Sequence, residues 1–96
     1  MLKYNTYSLN KIEAILTENN YVVRYGKGNF KTGYCILHEK NIIVINKFFS
    51  DEGKVNSLIE VLQHISIDAG LLTESSRSFY DKYLKNLATV EAVPSE

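Results

Sequence analysis

The apolar residues near the N-terminus recur every three or four positions, which is the spacing of one face of an α-helix. This pattern predicts a first helix from Leu9 to Asn19. Ser8 is its predicted N-cap, because a serine hydroxyl can accept a hydrogen bond from a free amide of the first turn. Asn19 and Asn20 are the predicted stop, since asparagine tolerates the left-handed conformation that ends many helices. The apolar face consists of Leu9, Ile12, Ile15 and Leu16.

Three short runs of β-branched and aromatic residues follow the first helix, and each predicts a strand. They extend from Tyr21 to Tyr25, from Tyr34 to His38 and from Ile42 to Asn46. The simplest arrangement of three such consecutive strands is an antiparallel meander. The third run is apolar at both alternating sets of positions, which predicts a strand that is central or covered on both sides.

Helical spacing returns in the C-terminal half of the chain. A second helix is predicted from Asp51 to Ala69, with Ser50 as its N-cap and its apolar stripe against the sheet. A third helix is predicted from about Ser76 to Leu87. Residues 89–96 contain the only proline of the chain and are predicted to form a flexible tail.

These elements place the protein in the α+β class, as a small single domain over residues 1–88. The predicted order is α-β-β-β-α-α, with a three-stranded antiparallel sheet covered by helices. Three strands are too few to cover themselves, so the helix from Asp51 to Ala69 is expected to be the main cover of the core.

The composition is that of an ordinary soluble globular protein, with 45% apolar and 23% charged residues. No apolar run approaches the roughly 18 residues needed to cross a bilayer, so no membrane partner is expected. The first residues lack the apolar segment of a signal peptide. The single cysteine, Cys35, excludes an internal disulfide, and a cytoplasmic location is therefore expected. Cys35 itself is expected to be a small buried apolar residue.

Charge is unevenly distributed, although the formal net charge is zero. The segment from Tyr21 to Ser50 has a net charge of +4, and the segment from Asp51 to Glu96 has a net charge of −4. Packing of these segments against each other would partly neutralise both. The alternative is a basic face for an anionic partner, formed by residues 24–47. Its interleaved tyrosines would suit a single-stranded nucleic acid, but the neutral chain makes nucleic acid an unexpected partner.

A glycine-rich loop from Gly26 to Gly33 is a candidate for anion binding. Glycines allow several backbone amides to point toward one anion, and Lys27 and Lys31 would add positive charge. The loop matches neither the G-x-x-x-x-G-K-[ST] nor the G-x-G-x-x-G phosphate-binding motif. A connection between two strands explains the same glycines without any ligand.

Glu60 and His64 are the candidates for a metal site. They lie four residues apart in the predicted second helix, a spacing by which a helix can offer two ligands to one metal. The apolar stripe of that helix faces the core, so both side chains are expected on its solvent-exposed side. No third ligand is marked by its spacing, and a solvated surface pair is the alternative explanation.

The segment from Ile42 to Ile65 resembles the strand-turn-helix core of bacterial H-E-x-x-H zinc peptidases of the repressor-cleaving type. In that register His64 matches the second histidine, Glu60 occupies the first histidine position and Val61 the general-base position. The resemblance implies a zincin-like core that has lost its proton-transfer group, because valine cannot activate a metal-bound water. The whole chain also resembles short uncharacterised bacterial proteins with a G-N-F-K-x-G-Y-C segment, matched here by Gly28 to Cys35. That second resemblance implies no function.

The third predicted helix is rich in tyrosine on its apolar side. Phe79, Tyr80 and Tyr83 are expected to pack on the core and to leave half-exposed rings for self-association. With no intact catalytic motif, the sequence predicts a non-enzymatic protein-interaction domain without a cofactor, whose partner is another protein or a second copy in a homodimer. The alternatives are a metal-binding or catalytically inactive relic that uses Glu60 and His64, and a weak nucleic-acid binder that uses residues 24–47.

Overall fold

The computed structural model describes residues 2–27 and 33–85, and its first element is helix α1 (Thr6–Glu18). Asn5 is the N-cap of α1, because its side chain accepts a hydrogen bond from the amide of Ser8 at 3.0 Å. The prediction that Ser8 is the N-cap is therefore wrong, and Ser8 is instead a buried residue within the first turn. The predicted stop is confirmed, since Asn20 has a φ of 70° and the helix ends at the preceding residues.

The three strands form one mixed sheet. Strands β1 (Val22–Gly26), β2 (Tyr34–Leu37) and β3 (Ile42–Asn46) are arranged in the order β1-β3-β2. β3 pairs with β2 in the antiparallel sense and with β1 in the parallel sense. The predicted antiparallel meander is therefore wrong, whereas the prediction that β3 is central is confirmed.

The hydrophobic content of β3 explains why this strand, and not β2, is at the centre of the sheet. A meander would have placed β2 in the centre and left β3 at an edge. β3 begins with four consecutive apolar residues, and a central position shields such a strand better than an edge does. The end of β2 also differs from the prediction, because His38 lies in a one-turn 3₁₀ helix (His38–Lys40) and Asn41 follows with a φ of 54°.

The helix after the sheet, α2 (Asp51–Leu62), begins as predicted and ends earlier than predicted. The Ser50 hydroxyl accepts a hydrogen bond from the Gly53 amide at 3.2 Å, which confirms Ser50 as the N-cap. The predicted extension of α2 to Ala69 is wrong. The segment that follows α2 is tied to α1, because the Asp68 amide donates to the Asn19 side chain at 2.7 Å and the Asp68 carbonyl accepts from that side chain at 3.3 Å.

The last described elements are a 3₁₀ turn (Ala69–Leu71), helix α3 (Glu74–Phe79) and one π-helical turn (Tyr80–Leu84). The observed order of elements thus differs from α-β-β-β-α-α, because short 3₁₀ helices separate β2 from β3 and α2 from α3. Thr73 is the N-cap of α3, so the helix begins at Glu74, before the predicted start near Ser76. Leu87 and the predicted tail over residues 89–96 lie outside the described residues.

A side chain of α1 fixes the beginning of α3. The carboxylate of Glu18 accepts hydrogen bonds from the Thr73 amide at 3.0 Å and from the Ser76 hydroxyl at 2.9 Å. Ser76 is almost fully buried, so this carboxylate satisfies a polar group that water does not reach. The contact holds α3 against α1.

The hydrophobic core lies between one face of the sheet and the helices. Its sheet residues are Ile43 and Ile45, both fully buried, and α1 and α2 cover them. No helix of the described residues is long and apolar enough to cross a membrane. The structure is thus a small α+β fold with three helices and a three-stranded mixed sheet. The helices contribute the remaining core residues, which are Leu9, Ile12, Ile15, Leu16, Val55, Leu58, Ile59, Val61, Leu62, Phe79 and Leu84.

Candidate interaction surface

The pairing of the strands divides the sheet residues into two faces. Residues that pair directly across neighbouring strands project to the same side of a sheet. Ile43 pairs with Val23 and with Ile36, and Ile45 is flanked in the same way by two tyrosines. Because Ile43 and Ile45 are buried beneath the helices, this set forms the covered face of the sheet.

The opposite side carries a second set of side chains, which we call the open sheet face. At its centre are Ile42 and Val44 of β3, both half-buried. Val22 and Leu37 at its margins are 46% and 43% exposed. Among the described residues, no side chain of this set belongs to the core or packs against it. The open sheet face consists of Val22, Arg24, Gly26, Cys35, Leu37, Ile42, Val44 and Asn46.

The chemistry of the open sheet face is unusual for a surface that meets water. A sheet with one solvated face normally alternates apolar residues inside with polar residues outside. Here Arg24 is the only charged residue among the described strand residues of this face. Contiguous exposed apolar side chains of this kind mark sites of protein association. The surface is therefore suited to contact with another apolar surface.

Cys35 lies on this open face beside Val44, its partner across the β2–β3 ladder. The cysteine was expected to be buried, and it is only half-buried. The expectation followed from the apolar character of its strand, and the topology places its side chain away from the helices. The thiol is thus one more weakly polar group on the open sheet face.

Glu60 and His64 do not share one helix face, because α2 ends at Leu62 and His64 lies beyond it. Both side chains are exposed. They approach Tyr34, whose ring centroid is 6.5 Å from that of His64. Burial raises the pKa of the Tyr34 phenol, and the negative charge of Glu60 raises the same pKa further. Within residues 2–27 and 33–85, no three His, Cys, Asp or Glu side chains are grouped so that they could hold a metal ion.

The structure describes one of the two lysines that are candidates for anion binding. Lys27 follows β1 and is exposed, whereas Lys31 lies outside the described residues. Two of the tyrosines that interleave with the basic residues lie on the side of the sheet that faces the helices. Tyr25 lies on the covered face, where its hydroxyl donates to Glu13 of α1, and Tyr34 lies on the same covered face.

The aromatic residues after Ser78 pack against the core to different extents. Phe79 is buried, whereas Tyr80 and Tyr83 are half-buried and contact the core. The rings of Phe79 and Tyr83 are 4.9 Å apart, and the ring of Tyr7 on α1 lies 6.2 Å from that of Phe79. These rings therefore join α1 to α3 and the π-helical turn.

No family model matches this chain, and neither a curated protein nor a solved structure matches it. What can be inferred about the function of this chain therefore comes from the chemistry of its own surfaces. Sequence reasoning missed the open sheet face as a site. The signal was present, because the apolar residues of β3 occupy both alternating sets of positions and only one set can face the helices of so small a domain.

Proposed function

We propose that this protein is a non-enzymatic interaction domain that forms a homodimer through its open sheet face. The observation that carries the proposal is the position of Ile42 and Val44. They are apolar, they lie on the central strand, and they are separate from the described core. Burial of such side chains against a matching surface removes apolar area from water, which is the main favourable term in most protein association.

A second copy of the chain is a partner of suitable shape and chemistry. In a dimer with two-fold symmetry each subunit contributes the same patch. A two-fold axis in the plane between two facing sheets places the central strand of one copy across that of the other. Ile42 and Val44 then meet their own counterparts, at the roughly 10 Å spacing of packed sheets.

The position of Arg24 is compatible with this arrangement. Arg24 lies on β1, which is an edge strand, and not on the central strand. The aliphatic part of an arginine can cover apolar surface while its guanidinium group stays in water at the rim. The charge therefore need not be buried when two open sheet faces meet.

The absence of catalysis is inferred from the sequence and from the placement of the candidate residues. Val61 occupies the position at which an H-E-x-x-H helix would carry its general base, and Val61 is a fully buried core residue. Glu60 and His64 are exposed, and His64 lies outside α2. These observations support an interaction role over a hydrolytic one.

Native mass spectrometry and light scattering of the untagged protein test the proposal. We expect the wild type to be a dimer and Val44→Asp to be a monomer, because the variant would bury two unpaired carboxylates in the interface. The matched control is Thr17→Asp, which adds the same charge on the exposed side of α1 and should remain a dimer. Circular dichroism must show that Val44→Asp is folded. A monomeric wild type, or a dimeric and folded Val44→Asp variant, would contradict the proposal.

A further inference from the structure

A groove runs along the contact between α1 and the segment formed by α3 and the π-helical turn. It consists of two adjoining cavities of about 300 Å³ and about 240 Å³. Tyr7, Phe79 and Tyr83 line both cavities, so their rings form a continuous wall. We call this feature the α1–α3 groove. The larger cavity is at the lower limit of the roughly 300–1,000 Å³ range of small-molecule pockets, and the adjoining cavity extends it.

The described lining of the α1–α3 groove is positively charged. Lys11 and Lys82 line the larger cavity and Lys3 lines the smaller one, while no described lining residue is a carboxylate. The chain as a whole is neutral, and the two segments that form the groove lie outside its basic middle segment. The positive charge of the groove is therefore a local feature. A cleft with one sign of charge and apolar walls raises the local concentration of an oppositely charged ligand.

Contacts within the groove hold the two cations of the larger cavity near its walls. The ammonium group of Lys11 donates to the Ser75 hydroxyl and lies 5.9 Å from the centre of the Tyr7 ring. The ammonium group of Lys82 lies 5.3 Å from the centre of the Tyr83 ring. Because aromatic rings attract cations over their faces, these contacts favour conformers in which the ammonium groups remain beside the groove.

Hydroxyl groups complete the polar side of the larger cavity. Ser75 and Ser78 lie on successive turns of the same helix and both line the cavity. Each hydroxyl can donate one hydrogen bond to an anion. The π-helical turn that follows contributes Lys82 and Tyr83 to the same cavity, and π-helical turns are frequent at functional sites.

We infer that the α1–α3 groove binds a small organic phosphate with a planar ring. The phosphate group would lie between Lys11 and Lys82, where two cations and the serine hydroxyls can each form charge-assisted or neutral hydrogen bonds to its oxygens. The ring would contact the aromatic wall formed by Tyr7 and Tyr83, because planar groups stack on aromatic side chains. The groove lies in the helical layer, on the other side of the sheet from the open sheet face, and the inference does not depend on the proposed dimer.

Titration of the full chain with adenosine monophosphate, followed by amide NMR shifts, tests this inference. We expect saturable shifts at Tyr7, Ser75 and Tyr83. Adenosine, which keeps the ring and lacks the phosphate, should bind at least about tenfold more weakly, because it cannot form the charge-assisted hydrogen bonds. Absence of saturable shifts with adenosine monophosphate, or shifts confined to other parts of the chain, would overturn the inference.

Variants of the groove lysines, compared with a control lysine outside the groove, separate a built site from general attraction of anions. The double variant Lys11→Gln/Lys82→Gln should weaken adenosine monophosphate binding about tenfold or more. The single variant Lys82→Gln is the second measurement if the double variant does not fold, and it should also weaken binding. The control Lys47→Gln removes one charge from an exposed position after β3 and should leave the affinity within about twofold. Equal weakening by Lys47→Gln and Lys82→Gln would overturn the inference.

Discussion

The two faces of the sheet carry similar apolar side chains and have different surroundings. Ile43 and Ile45 are fully buried beneath α1 and α2, whereas Ile42 and Val44 on the same strand are half-buried and separate from the core. Strand composition alone therefore does not decide burial. Each face needs a cover, and the described helices cover one face.

The largest expected difference between the two faces is in the loss of stability when neighbouring isoleucines are replaced by alanine. Ile43→Ala should lower the free energy of unfolding by about 2–5 kcal/mol, because it removes fully buried methyl and methylene groups and leaves a cavity. Ile42→Ala on the open sheet face should lower it by about 1 kcal/mol at concentrations where the protein is monomeric. Urea denaturation of both variants measures the difference. Equal losses would mean that the open face is covered as completely as the other.

A matched pair of glycines extends the comparison to the backbone. Gly33→Ala should cost about 2–4 kcal/mol, because Gly33 has a φ of 86° and a Cβ atom would clash with the ring of Phe49 and lie 2.8 Å from Oγ of Ser57. Gly26 lies on the open face, and its Cβ would meet only Val44 Cγ1 at 3.8 Å. Gly26→Ala should therefore change stability by within about 1 kcal/mol. Thermal unfolding of both variants provides the test, and a stable Gly33→Ala would contradict the described close packing.

The contact between Glu18 and α3 is expected to have an intermediate effect. Glu18→Ala should cost about 1–2 kcal/mol, because the Thr73 amide and the buried Ser76 hydroxyl would lose their acceptor. The control Glu60→Ala removes an exposed carboxylate from α2 and should have a smaller effect. Chemical denaturation measures both variants, and a larger loss for Glu60→Ala would show that α3 does not depend on this contact.

The smallest expected effect is on the pH dependence of the free energy of unfolding, and it comes from Glu13 at the margin of the covered face. Burial raises the pKa of the Glu13 carboxyl above its ordinary value, and the nearby positive charge of Lys54 partly opposes this rise. The folded state therefore holds the proton to a higher pH than the unfolded state does. Stability contributed by protonated Glu13 should be present below the ordinary glutamate pKa and should decrease as pH rises through the raised value.

Glu13→Gln isolates this pH dependence, because a glutamine oxygen can still accept the hydrogen bond from the Tyr25 hydroxyl. Unfolding free energies of the wild type and the variant should converge toward acid pH and diverge slightly above the ordinary glutamate range, with the variant the more stable. Parallel curves for the two proteins across that range would contradict the raised pKa.

Local signals in the sequence were sufficient for several elements of the fold. Ser50 was identified as an N-cap from the residues that follow it, and Asn20 was identified at the helix end from its tolerance of a left-handed backbone. The apolar run in β3 indicated a central strand. These features depend on a few neighbouring residues, so the sequence pattern contains the necessary information.

Other features depend on residues that are far apart in the chain. The segment after α2 is held against α1 by Asn19, which binds the Asp68 backbone from 49 residues away. The interleaved tyrosines were considered only as part of an alternative nucleic-acid surface, and the strand pairing places Tyr25 and Tyr34 on the covered face. No local pattern specifies such distant contacts.

The sequence by itself thus determined the α+β class and the approximate positions of the helices and strands, and it indicated that β3 is central or covered on both sides. The tertiary structure alone decided that β1 is parallel to β3, which side of the sheet the helices cover, and where the open sheet face and the α1–α3 groove are formed. The physical reason is that capping, turns and hydrophobic periodicity act between near neighbours, whereas strand order and coverage result from burial of apolar area over the whole domain.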